Sequence, residues 1–259
     1  LNKVIIPTSV FDPQNPAVDG QEKYAAFIAA NGGQGIEIRR ELFRTEDLPL
    51  EKCRRAIEQH QLNCVYSAPV ELWLESGELN ESGLEVILEE AQAIQADIVK
   101  MPLGHYDAVR SNVNAISGLL GRNLQGSKSM ILTVENDQTA YGGNLQQLNA
   151  FFKAVSENAV PVRMTFDIGN WAYSGENAFA AAELLSRHVV YVHCKHVEQD
   201  GDQLKTVPIT KEPNADWRQL LQRLPADAPA AIEFPVADAS MLRDYIALLK
   251  KAMEKEEIT

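Results

Sequence analysis

Four ionisable residues each close a short apolar run: Glu135 in ILTVEND, Asp167 in MTFDIGN, His193 in VVYVHCK and Glu233 in AIEFP. One acid in such a place is commonly a loop anchor or helix cap, and one histidine a hydrogen-bonded core residue. Four delivered to the same rim call for another reason. Three converging carboxylates repel one another unless a cation compensates them. Three oxygens and one imidazole nitrogen suit Mn2+, Mg2+, Co2+ or Zn2+. The four residues are therefore read as ligands of one divalent metal ion, with Mn2+ placed first.

Bringing them together needs elements that end side by side. Eight β-branched runs recur along the chain: residues 4–10, 35–39, 62–67, 97–102, 130–136, 162–169, 189–195 and 230–235. Each is short and apolar on both faces, as in a buried parallel strand. Helical patterns alternate with them at 22–32, 50–61, 82–95, 113–123, 144–158, 176–188, 216–224 and 239–255. Strict alternation implies a parallel sheet with helical crossovers. Eight units in 259 residues predict a closed (β/α)8 TIM barrel of the α/β class, one domain over 1–259, rather than an open doubly wound sheet. In such a barrel the chemistry sits at the C-terminal ends of the strands, where the four residues fall. PTSVFD follows the first strand where a dinucleotide fold would carry GxGxxG.

Composition excludes several partners. The formal charge is -12, which disfavours nucleic acid and anionic membrane, since phosphate backbones are bound through Lys and Arg. Three scattered cysteines (Cys53, Cys64, Cys194) form neither a disulfide framework nor a zinc pattern. There is no apolar stretch of roughly 18 residues, and the N-terminal run lacks a cationic leader. The reading is a cytoplasmic protein acting on a small molecule, with a homo-oligomer left open.

The segments TVEND, FDIGNW, YVHCKH and IEFP, in that order at successive strand ends, resemble the xylose-isomerase-like TIM barrels, a superfamily of sugar and sugar-phosphate isomerases and epimerases. The resemblance spans essentially the whole chain. It implies that the positions of Glu135, Asp167, His193 and Glu233 hold the metal, and that Glu135 and Glu233 flank the substrate as the acid/base pair. It also implies a substrate-binding acid at Glu37. Other candidates for the substrate are Arg39 beside Arg40, Lys100, His105 and Lys195, with Trp171 as an aromatic wall and Trp73 as a second one. Several ketose epimerases of the family carry a histidine where this chain has Asn170, and an arginine where it has Gln199. Asn170 is kept as a substrate contact, while specificity for a ketose 3-epimerisation is put in doubt.

The chemistry implied is removal of a proton from carbon next to a carbonyl, giving an enediolate. A dehydratase of the inosose type would use the same first half and then expel a hydroxyl. A non-catalytic sugar-binding barrel is a third reading, since fold alone does not fix function. An abasic-site endonuclease is disfavoured by five histidines in all and by the acidic charge.

Overall fold

A computed structural model describes residues 3–11, 20–43, 48–123 and 130–254. Eight parallel strands close a barrel: β1 (Val4–Pro7), β2 (Gly35–Arg39), β3 (Asn63–Ser67), β4 (Ile98–Pro102), β5 (Ile131–Glu135), β6 (Val162–Asp167), β7 (Val189–Cys194) and β10 (Ala230–Ile232). Neighbours in sequence are neighbours in space, and β10 pairs with both β7 and β1 to complete the ring. The TIM-barrel expectation holds.

The helices are α1 (Tyr24–Ala30), α2 (Leu50–Gln59), α3 (Glu81–Ala93), α4 (Asn114–Asn123), α5 (Leu145–Glu157), α6 (Asn170–Ser174), α7 (Ala178–Leu185), α8 (Asp216–Arg223) and α9 (Ala239–Met253). The longer ones owe their orientation to an apolar stripe. In α5 the buried residues are Leu148, Phe151, Phe152 and Val155, the spacing of one helical face. Side chains of Asn80, Asn144 and Asp238 accept the first free N–H groups of α3, α5 and α9. The helix expected to reach residue 255 ends at Met253, and residue 255 lies outside the described residues.

Two elements break the strict alternation. α6 is a single turn directly after β6. After β7 comes an antiparallel hairpin, β8 (His196–Asp200) with β9 (Gln203–Val207), turning at Gly201 with φ +63°. Its strands are polar and largely exposed, so they lack the apolar signature that marks a barrel strand.

Side chains alternate across each strand. Ile5, Val65, Ile98, Tyr191 and Ala231 form a small apolar cluster inside the barrel. The larger core lies between the strands and the helices. Two residues beyond Val65, Ile98, Tyr191 and Ala231, on the same side of their strands, stand Ser67, Lys100, His193 and Glu233. The apolar plug thus floors a polar layer facing the mouth.

Candidate metal centre

Glu135 ends β5, Asp167 ends β6 and His193 is the penultimate residue of β7. β10 stops one residue before Glu233, whose backbone N–H still donates to Cys194 O at 3.0 Å and so keeps register with β7. Among the described residues, one ligand atom from each of Glu135, Asp167, His193 and Glu233 falls in a group whose members all lie within 4.8 Å of one another. His193 Nδ1 is 3.0 Å from Glu135 Oε1, 3.1 Å from Glu233 Oε1 and 3.8 Å from Asp167 Oδ2.

The donor atoms pass a test of fit. Glu135 Oε1 and His193 Nδ1 are buried without a hydrogen-bond partner of their own, and Asp167 Oδ2 has only the Lys195 ammonium against it. Under-satisfied polar atoms are costly inside a protein, and here three of them converge on one point. The opposite edge of the imidazole is fixed: His193 Nε2 lies 2.8 Å from Glu37 Oε2. An ionised carboxylate only accepts, so Nε2 carries the proton on this contact and Nδ1 is turned to the acids. A carboxylate behind a histidine in this way is a recurrent orienting device at metal sites. The four residues could hold a divalent cation.

Glu37 itself is fully buried. It accepts from Tyr191 Oη (2.7 Å) and from Arg39 (3.1 Å) as well as from His193, and Lys100 Nζ is 3.6 Å away. The structure therefore places this candidate substrate contact behind His193. Arg39 reaches Glu233 Oε1 (3.1 Å) and Glu41 Oε1 (2.7 Å). Lys100 Nζ contacts Glu135 Oε2 at 2.5 Å, and Lys195 Nζ lies 2.7 Å from both Asp167 Oδ2 and Glu233 Oε2. Four carboxylates thus face three permanently cationic side chains.

That imbalance is visible in the acidities. Burial would raise Glu37, but Lys100, His193 and Arg39 hold it well below the usual carboxylate range. Burial also opposes ionisation of Glu135, and Lys100 and His193 overcome it. At Glu233 the winning partners are His193 and Lys195. Asp167 goes the other way, pushed up to about 7, because burial and the charges of Glu233 and Glu135 outweigh Lys195. His193 is held well above its ordinary value, despite burial, by Glu233 and Glu37.

The remaining candidates are spread out. Asn170 is spent on the β6 loop: its amide donates to Asn136 O (2.8 Å) and its backbone N–H to Asp167 Oδ1 (3.0 Å). Trp171 is 1% exposed and packs on Phe166, and Trp73 is buried against Tyr106 and Phe151. Neither presents a ring face to the mouth. His105 stacks on Tyr141 at 3.8 Å, and Tyr141 donates to Glu71 (2.8 Å). Glu71 in turn lines a cleft of about 260 Å³ with Arg39, Ser67, Lys100, Glu135 and Asp137. Gln199 lies on the hairpin and donates to Gly201 O.

Two residues of this centre were missed in the sequence. Tyr191 precedes His193 by two and shares its side of β7, which alternation alone could have marked. Asn136 donates to Asp167 O (3.0 Å) and accepts from Asp167 N (2.9 Å), a bridge between β5 and β6 that only the folded barrel reveals.

A closed (β/α)8 barrel with an acid and histidine cluster at the C-terminal ends of its strands defines the class. The chain belongs to the xylose isomerase-like TIM barrel family, whose model matches residues 25–254. No curated protein sequence matches it. Among solved structures it is similar to a xylose isomerase domain containing protein from Salmonella typhimurium (TM-score 0.71, 17% identity, 97% of each chain). It is also similar to a D-psicose 3-epimerase from Clostridium cellulolyticum (0.69, 12%, 98% of this chain and 100% of that one). A third is the probable 3-DHS dehydratase AsbF of Bacillus anthracis (0.67, 16%, 98% and 100%). At these identities the likeness is one of fold. Among the described residues no helix is long and apolar enough to cross a membrane.

Proposed function

We propose that the protein is a divalent-metal-dependent isomerase or epimerase of a sugar or sugar phosphate, working by proton transfer through an enediolate. The observation that carries this reading is the pairing of Glu135 and Glu233. Their Oε1 atoms stand 3.0 and 3.1 Å from the same imidazole nitrogen, while their Oε2 atoms are held by Lys100 and Lys195. Both carboxyls are kept ionised, which a general base requires. Glu135, Asp167, His193 and Glu233 would hold the cation, Mn2+ first among Mn2+, Mg2+, Co2+ and Zn2+. When bound, the metal supplies Lewis acidity that offsets the negative charge of the enediolate.

In this reading one glutamate takes the proton from carbon and the other returns it. Lys100 and Lys195 fix the glutamates' outer oxygens, so neither carboxylate swings away from the reacting carbon. Glu37 sets the tautomer of His193. The cleft beside Lys100 and Glu135 takes the rest of the substrate, with Arg39, Glu71 and Asp137 along its wall.

The test is deuterium uptake from D2O into a panel of ketoses and ketose phosphates by Mn2+-loaded protein. Uptake without change of composition is expected, and Glu135→Gln and Glu233→Gln should each lose it by two orders of magnitude or more. Uptake retained in both variants would refute the acid/base assignment. A product lighter by one water would instead assign the dehydratase reading, which shares the same proton abstraction.

A further inference from the structure

The lysine two residues beyond His193 is placed with unusual care. Lys195 is 5% exposed, and its ammonium lies 2.7 Å from Asp167 Oδ2 and 2.7 Å from Glu233 Oε2. Asp167 Oδ2 is one of the buried atoms that converge on the candidate metal position. The lysine therefore sits against the very carboxylates that a cation would use.

Its seat is built by a second segment. The stem of Lys195 crosses Gly169, and a Cβ at that glycine would lie 2.5 Å from Lys195 Cγ and 3.1 Å from Cε. Gly169 has φ -84°, a value open to any residue, so its backbone does not demand glycine. What demands it is the lysine stem. The segment FDIGNW thus supplies both a carboxylate of the cluster, Asp167, and the gap through which a cation reaches that carboxylate.

Lys100 repeats the arrangement on the other side, against Glu135. Each of the three carboxylates of the cluster has a fixed ammonium on it; Glu135 and Glu233 keep Oε1 facing the common point, while Asp167 Oδ2 serves both the point and the lysine. A divalent ion entering here meets ligands whose charge is already partly spent. Two positive charges a few ångströms apart repel strongly in a buried site.

We propose that Lys195 is a built-in counter-cation: it shares Asp167 and Glu233 with the metal, holds the ligands assembled without it, and keeps metal affinity low and exchange easy. This rests on the metal reading of the preceding section. Lys195 acts through the two carboxylates and is a positioning residue. Its effect has a sign that a merely structural role would not give, because removing it tightens metal binding.

The experiment is Mn2+ titration at pH 8 of chelator-treated wild type, Lys195→Met, Lys195→Arg and Gly169→Ala, reading free Mn2+ by electron paramagnetic resonance. Circular dichroism and urea midpoints monitor the fold. Lys195→Met should bind Mn2+ at least about ten-fold more tightly than wild type, and Lys195→Arg should stay within about three-fold of it. Gly169→Ala, which displaces the stem but keeps the charge in the chain, should shift in the same direction by less. It serves as the test should Lys195→Met fail to fold. Equal or weaker binding by folded Lys195→Met, or by Gly169→Ala in its stead, overturns the proposal while leaving the metal site standing. No Mn2+ bound by wild type overturns the metal reading itself.

Discussion

At the scale of single residues the centre is a contest between carboxylates and the cations available to them. Glu37 contributes without touching the common point, by holding His193 Nε2 at 2.8 Å and taking the Tyr191 hydroxyl. Glu37→Gln keeps the shape but weakens that hold, and Mn2+ affinity should fall by about 10- to 100-fold, as removal of such an orienting group does elsewhere. Calorimetric titration checks this. The pH dependence has a definite sign. Asp167, pushed up to about 7, and His193, held well above its usual value, both carry protons at lower pH that a metal must displace. Mn2+ affinity should therefore drop as pH falls from 8 to 6, by about ten-fold per unit near pH 8 and more steeply below pH 7, with net proton release on binding. A flat profile across that window would show that neither group is a ligand.

At the scale of elements the site is made by strand alternation and by loops that lock strand ends. Asn136 ties the end of β5 to the backbone of Asp167 through two hydrogen bonds of its side-chain amide and is itself fully buried. Asn136→Ala leaves a buried N–H and C=O without partners, at a cost of about 2–4 kcal/mol. Thermal unfolding should show a loss of several degrees. His188, at the start of β7, is a separate case. It stacks on Phe152, accepts from Arg187 Nε, and is lowered to about 4 by burial and by the charges of Arg187 and Arg163. Its folded pKa lies below the unfolded one, so the neutral form's contribution is complete above pH 6.5 and is lost as pH falls toward 4. His188→Gln should flatten the decline in urea midpoint between pH 6.5 and 4.5.

These elements also show what a sequence reveals. All eight barrel strands were legible as apolar runs, because parallel strands covered on both faces must be apolar. Alternation was enough to put Glu135, Asp167, His193 and Glu233 at one rim. The hairpin β8–β9 was not legible, since none of its residues is buried and most are polar, so it lacks the apolar run of a barrel strand. Trp171 reads as a mouth aromatic by position, but the turn α6 rotates it inward onto Phe166. The seat of Lys195 over Gly169 depends on a contact between segments 26 residues apart in the chain. No local pattern encodes such a contact.

At the scale of the whole molecule the barrel gathers carboxylates and ammonium groups from six strand ends into one buried cluster. The chain carries a net charge of -12, and at the mouth burial and neighbouring carboxylates leave Asp167 hard to ionise. A ligand that binds only the folded state adds RT ln(1 + [L]/Kd) to stability. Mn2+ at a hundred times its dissociation constant should add about 2.7 kcal/mol, read as a rise in unfolding temperature that a chelator reverses. The central claim is that Glu135, Asp167, His193 and Glu233 together hold one divalent ion, and the direct measurement is Mn2+ stoichiometry in chelator-treated wild type beside Asp167→Ala and His193→Ala. One Mn2+ per chain in the wild type, with affinity lost by two orders of magnitude or more in either variant, is the predicted result. No binding in the wild type, or binding undiminished in both variants, would contradict it.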